Sequence, residues 1–340
     1  MRFGYVALAE AEGAILAHSL DLGPKASAKR IAKGTVLGAA HLADLAASGI
    51  TQVVAATLEA GDLGEDATAL RLAQALVPDP EAQCIRITGA GAGRVNLYAA
   101  SCGIVKLDAA RIHALNAIDP MISVATVADH ARVDEGGMIA TIKIIAYAVP
   151  ETKVQQAEAG AAGAIRVLPP YYSSATLIET VTQETSGTEP SDKGRAATAG
   201  RLARFSASLT ARVITAHREA PLAEAIKAAT GEMILILTGS ATSDAYDVAP
   251  QALRMAGGEV IRFGMPVDPG NLLFVGRLGE KPVIGLPGCA RSIALNGADW
   301  VLERLMGGLC VGSADIAMMG VGGLLKEIPT RPRPRRDADA

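Results

Sequence analysis

The second half of the chain alternates short apolar runs with amphipathic stretches. Apolar runs such as MILIL (residues 233–237) and PVIGL (residues 282–286) are bounded by turn signals, and segments with apolar residues at helical spacing lie between them. Strands of continuous apolar residues that alternate with helices are typical of a parallel sheet covered on both faces. We therefore predict a doubly wound, mostly parallel α/β sheet over residues 164–325, ending in a long helix over residues 290–308.

The first half has a pattern in which strands dominate. It predicts a helix over 41–47, a β-branched strand over 50–58, and a helix over 62–76 with Asp66 as its cap. The run GAGAGR (residues 89–94) follows a strand and is open to two interpretations, a dinucleotide-binding loop or a turn between two strands. Its spacing has no third glycine at the position of the dinucleotide fingerprint, which favours the turn.

These patterns divide the chain into five segments. We predict smaller β-rich or α+β units at the N-terminus, a short helix or linker, the α/β domain, and a flexible tail rich in Pro and Arg. In chain order the segments are 1–80, 81–150, 151–163, 164–325 and 326–340.

Composition narrows the functional classes. The 340 residues carry 32 Lys and Arg against 35 Asp and Glu, a net charge of −3, which argues against a broad basic surface for nucleic acid. No uncharged apolar window is long enough to cross a membrane, and Glu10 and Glu12 interrupt any signal-peptide core. The four widely spaced cysteines predict neither disulfides nor a zinc site, and the five histidines are interpreted as surface or structural residues. We therefore expect a cytoplasmic protein.

Three turns at strand ends are the candidate chemistry of the chain. They are Thr238–Ser240 after MILIL, Pro269–Asn271, and Pro287–Ser292 after PVIGL, with Ser292 at the start of the predicted last helix. Carboxyl ends of strands in open α/β sheets form ligand crevices, where small residues let backbone N–H groups approach an anion. Asp247 has two interpretations: it binds a ligand or metal at this edge, or it only caps the helix that begins VAPQ.

The order of these turns resembles the molybdopterin-binding domain of the MoeA/gephyrin and MoaB/Mog superfamily. That family has an SGG-x-S-x-G-x-x-D turn followed by PGKP and LPGNPVSA. Here Thr238-Gly239-Ser240, Pro269-Gly270 and Leu286-Pro287-Gly288 with Ser292 take the corresponding places, and Asp247 takes that of the functional aspartate. Upstream, Asp192 resembles the acidic helix start, and Glu219 the acidic residue that opens the next helix. The resemblance covers about residues 175–305. It is strongest to a bacterial module sometimes fused to a cytidylyltransferase-like domain, of which this chain shows no sign.

The resemblance implies roles for individual residues. It assigns phosphate contacts with the pterin to Thr238, Gly239, Ser240, Gly288 and Ser292, and a catalytic, metal or pterin contact to Asp247. Asp192 and Glu219 are the further acidic candidates for a metal ion. The remaining residues that it places around the cofactor are Pro269, Gly270, Asn271, Pro287 and Arg291.

One turn departs from the family pattern. This chain has Asp268-Pro269-Gly270-Asn271 where the family's PGKP supplies a lysine, and loss of that cation weakens capture of an oxyanion such as molybdate. Arg291 restores one cation beside the expected phosphate. The departure therefore favours binding over metal insertion.

Three functions follow as expectations. The first is binding of molybdopterin or the molybdenum cofactor during its biosynthesis or maturation. The second is a magnesium-dependent molybdotransferase that inserts molybdate into adenylylated molybdopterin. The third is an interaction module that docks a molybdoenzyme or a nucleotidyltransferase such as a cytidylyltransferase. By resemblance we also expect a homo-oligomer.

Overall fold

The computed structural model describes residues 1–23, 29–182 and 190–325. The predicted tail, residues 326–340, lies outside the described residues. The chain divides into an N-terminal unit, residues 1–101 with 105–167, and a C-terminal unit, residues 102–104 with 168 onward. None of the described helices has the length and apolar composition needed to cross a bilayer.

Small sheets and four α-helices make up most of the first half of the described chain. The helices are α1 (Ala39–Ala47), α2 (Glu65–Leu76), α3 (Ala109–Asn116) and α4 (Glu151–Ala161). The strands are β1 (Arg2–Ala7), β2 (Ile15–Leu16), β3 (Leu20–Leu22), β4 (Lys29–Ile31), β5 (Gln52–Thr57), β6 (Asp62–Gly64), β7 (Ile85–Ile87), β8 (Arg94–Ala99), β9 (Gly103–Leu107), β10 (Ile122–Thr126), β11 (Arg132–Val133), β12 (Met138–Ile144), β13 (Ala148–Pro150) and β14 (Ile165–Leu168).

The predicted elements of this half are confirmed with one correction. The helix over 41–47 and the strand over 50–58 are α1 and β5, and residues 88–93 join the antiparallel strands β7 and β8 as a turn. Asp66 does not cap α2, because residues 62–64 pair with β13 and the helix begins only at Glu65. The Asp66 carboxylate instead accepts a hydrogen bond from Gly93 N–H (2.6 Å).

Residues 151–163 are expected as a short helix or linker, and the helix is confirmed. Residues 151–161 form α4, and its Val154, Ala157 and Ala161 are fully buried in the core of the N-terminal unit. Small and apolar residues at helical spacing bury one face of the helix there. The segment is therefore packed in the N-terminal unit.

The C-terminal unit contains a seven-stranded sheet. Its strands are β15 (Ser174–Val181), β16 (Ser208–Leu209), β17 (Val213–Ala216), β18 (Met233–Leu237), β19 (Glu259–Phe263), β20 (Phe274–Leu278) and β21 (Lys281–Leu286). Its helices are α5 (Asp192–Ala203), α6 (Glu219–Lys227), α7 (Val248–Met255), α8 (Gly297–Met306) and α9 (Ser313–Ala317). The strand order is β16-β15-β18-β21-β20-β19, with β17 also paired to β15. All pairings among β15, β16, β17, β18 and β21 are parallel, and β20 is antiparallel to both its neighbours.

Alternate residues of the central strands pack into two separate cores. In β18, Leu235 and Leu237 pack on the face that α5 and α8 cover, and Ile234 and Ile236 on the face that α6 and α7 cover. All of these side chains are buried, which explains why the strand is a continuous apolar run. The doubly wound, mostly parallel sheet is confirmed.

The long last helix predicted over 290–308 is wrong at its start. Helix α8 begins at Gly297, because the Asn296 side chain accepts a hydrogen bond from Ala298 N–H and Asn296 N–H donates to the Asp299 carboxylate. Such a capping box fixes a helix N-terminus. Residues 288–291 form a short 3-10 turn and Ser292 is extended, so Ser292 is not at the start of a helix.

Candidate functional site

The three predicted turns lie at one edge of the C-terminal sheet. Ile236 pairs with Gly285, Gly285 with Phe274, and Phe274 with Phe263. This row crosses the ends of β18, β21 and β19 and the start of β20. The turns that follow β18 and β21, and the turn that joins β19 to β20, therefore leave the sheet side by side.

The turn after β18 is held against the end of β15. Gly239 N–H donates to Thr180 Oγ1 (2.8 Å), and that oxygen is also 2.9 Å from His217 Nδ1. A Cβ at position 239 would lie 2.6 Å from the Thr180 carbonyl oxygen, so only glycine fits here. Thr238 is buried and Ser240 is exposed. Ser240 is therefore the residue of this turn whose side chain is accessible to a ligand.

Asp247 caps helix α7, as one of its two interpretations predicted. Its carboxylate accepts hydrogen bonds from Val248 N–H (2.7 Å) and Ser243 N–H (2.9 Å). Partial burial alone would raise the pKa of Asp247, but these two bonds and the nearby His217 lower the pKa below its ordinary value. Both carboxylate oxygens are thus engaged by the backbone, and a ligand contact by Asp247 stays a prediction.

The cap predicts how the Asp247 variants behave. We expect Asp247→Ala to lower the free energy of unfolding by about 1 kcal/mol, whereas Asp247→Asn, which still caps, loses much less. Because the pKa of Asp247 is lower in the folded chain than in the unfolded chain, the ionised carboxylate stabilises the fold at pH values above the unfolded pKa. This stabilisation is lost as the pH falls through the folded pKa. The difference between wild type and Asp247→Asn should therefore shrink in acid. Urea unfolding across pH checks this, and a difference that grows on acidification would contradict it.

The turn after β21 is open on one side and fastened to the first turn on the other. A Cβ at Gly288 would meet nothing within 4 Å. The Arg291 guanidinium donates to the Thr238 carbonyl oxygen (2.7 Å), and its Nη1 would lie 3.5 Å from a Cβ at Gly194 in α5. Arg291 therefore joins two of the predicted turns to the first turn of α5. Ser292 is half-buried, and its Oγ accepts from Ala294 N–H (3.2 Å).

The turn between β19 and β20 packs against the start of α8. The Pro269 carbonyl oxygen accepts from Gly297 N–H (2.8 Å), and a Cβ at Gly270 would lie 2.8 Å from that nitrogen. Asn271 is exposed, and its amide donates to the Met265 carbonyl (3.4 Å). This turn supports the loop that leads from Ser292 to α8.

The three acidic candidates for a metal ion have separate settings. Asp192 pairs with Arg212 (2.8 Å), Asp247 caps α7, and Glu219 is exposed at the first position of α6. Within residues 1–23, 29–182 and 190–325, no group of three or more His, Cys, Asp or Glu side chains could hold a metal ion. A metal role for these carboxylates stays a prediction.

Several polar residues near these turns were not predicted from the sequence. Glu179 is buried at the end of β15 and pairs with Arg212 (2.8 Å), and Thr180 and His217 support Gly239. The signal for Glu179 and Thr180 was the polar pair inside the apolar run ATLIETV. The sequence predicts a surface or structural role for His217, and its contact with Thr180 agrees with a structural role.

A cavity of about 410 Å³ lies at the opposite edge of the same sheet. Its lining includes Tyr172, Arg277, Pro282 and Cys310, near the start of β21. Ligands of open α/β sheets bind at the carboxyl ends of the strands, and this cavity is at the other end. The candidate site is therefore the edge with the three turns.

Comparison with known proteins identifies the domain that carries these turns. Residues 178–307 match the family MoCF_biosynth, whose description is "Probable molybdopterin binding domain". The match confirms the resemblance that the turns predicted. No curated protein sequence matches the chain significantly.

Two solved structures are similar at low identity. A molybdopterin biosynthesis moea protein from Pyrococcus horikosii is 13% identical, with 90% of this chain and 75% of that chain covered and a TM-score of 0.32. A molybdenum cofactor biosynthesis protein from Pyrococcus furiosus is 12% identical, with 91% and 66% covered and a TM-score of 0.25.

Proposed function

Because residues 178–307 belong to the family of probable molybdopterin binding domains, we propose that this chain binds molybdopterin in the biosynthesis or maturation of the molybdenum cofactor. The observation that carries the proposal is the bond between Arg291 and the Thr238 carbonyl, which joins the turns after β18 and β21. An anion bound between these two turns would contact a cationic side chain and the backbone N–H groups of small residues.

The turns have donors available for a phosphate group. In the described part of the chain, the N–H groups of Ser240 and Gly288 have no hydrogen-bond acceptor, and the space beside Gly288 is open. Ser292 Oγ accepts one hydrogen bond, so its O–H proton is free to donate. These groups would bind the pterin phosphate, with Arg291 as its nearest cation.

Binding is favoured over molybdate insertion by two features. The turn between β19 and β20 offers Asp268 and Asn271 and no lysine beside a negatively charged substrate. Asp247 already accepts two backbone hydrogen bonds, which leaves its carboxylate less available to a magnesium ion. The chain would therefore hold or pass on the pterin.

The test is the pterin content of the purified protein. Oxidation with iodine and acid converts bound molybdopterin to a fluorescent derivative, and we expect stoichiometric pterin in the wild type. The pterin content of Ser292→Ala and of Arg291→Gln should be at least about tenfold lower than that of the wild type, since each substitution removes a phosphate donor. Asp247→Asn should retain it, because the cap is preserved.

A matched control separates the site from general loss of charge. Arg254→Gln removes another arginine of the C-terminal unit that donates to a backbone carbonyl, that of Ala245 (2.7 Å), and it should retain full pterin. No pterin in the wild type, and no uptake when it is supplied, would rule out cofactor binding and favour an interaction module. Turnover of adenylylated molybdopterin with magnesium and molybdate would instead identify a molybdotransferase.

A further inference from the structure

A buried arginine of α5 organises the loop after β21. Arg201 is 6% exposed, and its Nε donates to Asp299 Oδ1 at 2.6 Å. Its other nitrogens donate to three carbonyl oxygens of one loop, those of Ala290 (2.8 Å), Ser292 (2.8 Å) and Ala294 (3.3 Å). One guanidinium therefore fixes the direction of three peptide groups.

The direction of these carbonyls also fixes their N–H groups. In a trans peptide the C=O of one residue and the N–H of the next point in opposite directions. Because the carbonyls of Ser292 and Ala294 point at Arg201, the N–H groups of Ile293 and Leu295 point away from it. Neither N–H has an acceptor in the described part of the chain, and both residues are exposed.

We propose that Arg201 is a positioning residue that turns the N–H groups of Ile293 and Leu295 outward as a pair of donors for the phosphate group of the ligand. Backbone N–H groups that point to the same side can bind an anion together. Donors that are already oriented need no rearrangement on binding. Asp299 accepts from Nε while Nη1 and Nη2 donate to the loop carbonyls, so all three nitrogens of the guanidinium are engaged and its orientation is fixed. The inference rests on the proposed function, since it concerns the same phosphate.

The loop has a further reason to depend on Arg201. Its backbone is also held by a short 3-10 turn, the bond from Ala294 N–H to Ser292 Oγ, the cap of α8 and a bond from Asn296 Nδ2 to the Ala294 carbonyl oxygen (3.4 Å), whereas Arg201 is the donor that all three carbonyls share. Loss of the arginine would leave the carbonyls of Ala290, Ser292 and Ala294 without their common donor. The peptide groups would then rotate, and the paired N–H groups would no longer converge on one anion.

The experiment compares two ligands that differ only by the phosphate. Wild type and variants are titrated with 6-hydroxymethylpterin and with its phosphate monoester, and the ratio of the two Kd values measures the contribution of the phosphate. Arg201→Lys keeps a cation for Asp299 but cannot reach all three carbonyls. We expect it to reduce the ratio by about tenfold, the effect of one or two lost hydrogen bonds to a charged group. Arg201→Met should reduce the ratio further.

Controls distinguish positioning from a loss of structure. Arg204→Met removes another arginine of this helix region, one that pairs with Glu303 of α8, and should leave the ratio unchanged. Addition of inorganic phosphate should shift the amide NMR signals of Ile293 and Leu295 in the wild type and much less in Arg201→Lys. An unchanged ratio in folded Arg201→Lys and Arg201→Met, or an equal loss of affinity for both pterins, would overturn the inference.

The two proposals can fail separately. If the wild type binds neither pterin but inorganic phosphate shifts these two amides in an Arg201-dependent way, the donor pair stands and molybdopterin binding fails. If the wild type binds the phosphorylated pterin more tightly and the variants do so equally, molybdopterin binding stands and the role of Arg201 fails. If neither pterin binds and phosphate shifts neither amide, both fail.

Discussion

Gly285→Ala should lower the free energy of unfolding by about 3 kcal/mol or more. A Cβ at position 285 would overlap the ring of Phe274, the paired residue on β20, and Phe274 is itself fully buried. Overpacking a rigid core forces neighbouring side chains and backbone to move, at a cost of about 1–3 kcal/mol and sometimes more. Guanidinium unfolding, read as a change of midpoint at constant slope, measures it.

The matched control is three residues further along. At Gly288 a Cβ meets nothing within 4 Å, so Gly288→Ala should change stability by less than about 0.5 kcal/mol. The same methyl group would occupy the space that we propose for the phosphate, and pterin content should fall. Equal stability of the two variants would contradict the packing argument, and full pterin in Gly288→Ala would place the phosphate elsewhere.

Asp299→Ala should destabilise the protein by about 3–5 kcal/mol, because it leaves the Arg201 cation buried without its partner. The variant also removes the acceptor for Asn296 N–H at the start of α8, worth about 1 kcal/mol. Urea unfolding of the single and double variants measures the effect. We expect Arg201→Met with Asp299→Leu to be less destabilised than the sum of the two single variants, since no unpaired charge is left buried.

Asp315→Ala is the control for the cap alone. Asp315 accepts from Gly312 N–H (2.8 Å) at the start of α9 as Asp299 does at α8. Its loss should therefore cost only about 1 kcal/mol. A cost for Asp299→Ala no greater than this would show that the ion pair adds nothing to stability.

The sheet and the order of the site turns could be predicted from the sequence. The runs MILIL and PVIGL coincide with β18 and with all but the first residue of β21, because strands buried on both faces must be apolar throughout. Turns follow such strands, and parallel strands bring their carboxyl ends to one edge. The position of the candidate site turns was thus predicted from local pattern alone.

The supports of the site could not be predicted in this way. Arg201 lies in an amphipathic stretch where an arginine is ordinarily solvated, and its burial depends on Asp299, 98 positions later in the chain. The start of α8 was misplaced because the apolar spacing continues back through Ile293 and Leu295, whereas the capping box at Asn296 decides the boundary. A pair of residues far apart in the chain, and the choice between two possible helix starts, both depend on tertiary structure.

The separation of the two edges of the C-terminal sheet has a consequence for divergence among related chains. The connections at 229–232, 257–258 and 279–280 all lie at the edge opposite the three turns, beside the starts of β18, β19 and β21. Surface connections tolerate insertions and deletions far better than packed strands do. The exposed hairpin at 279–280 can therefore lengthen, or accept an inserted domain, while the geometry of the turns after β18 and β21 is conserved.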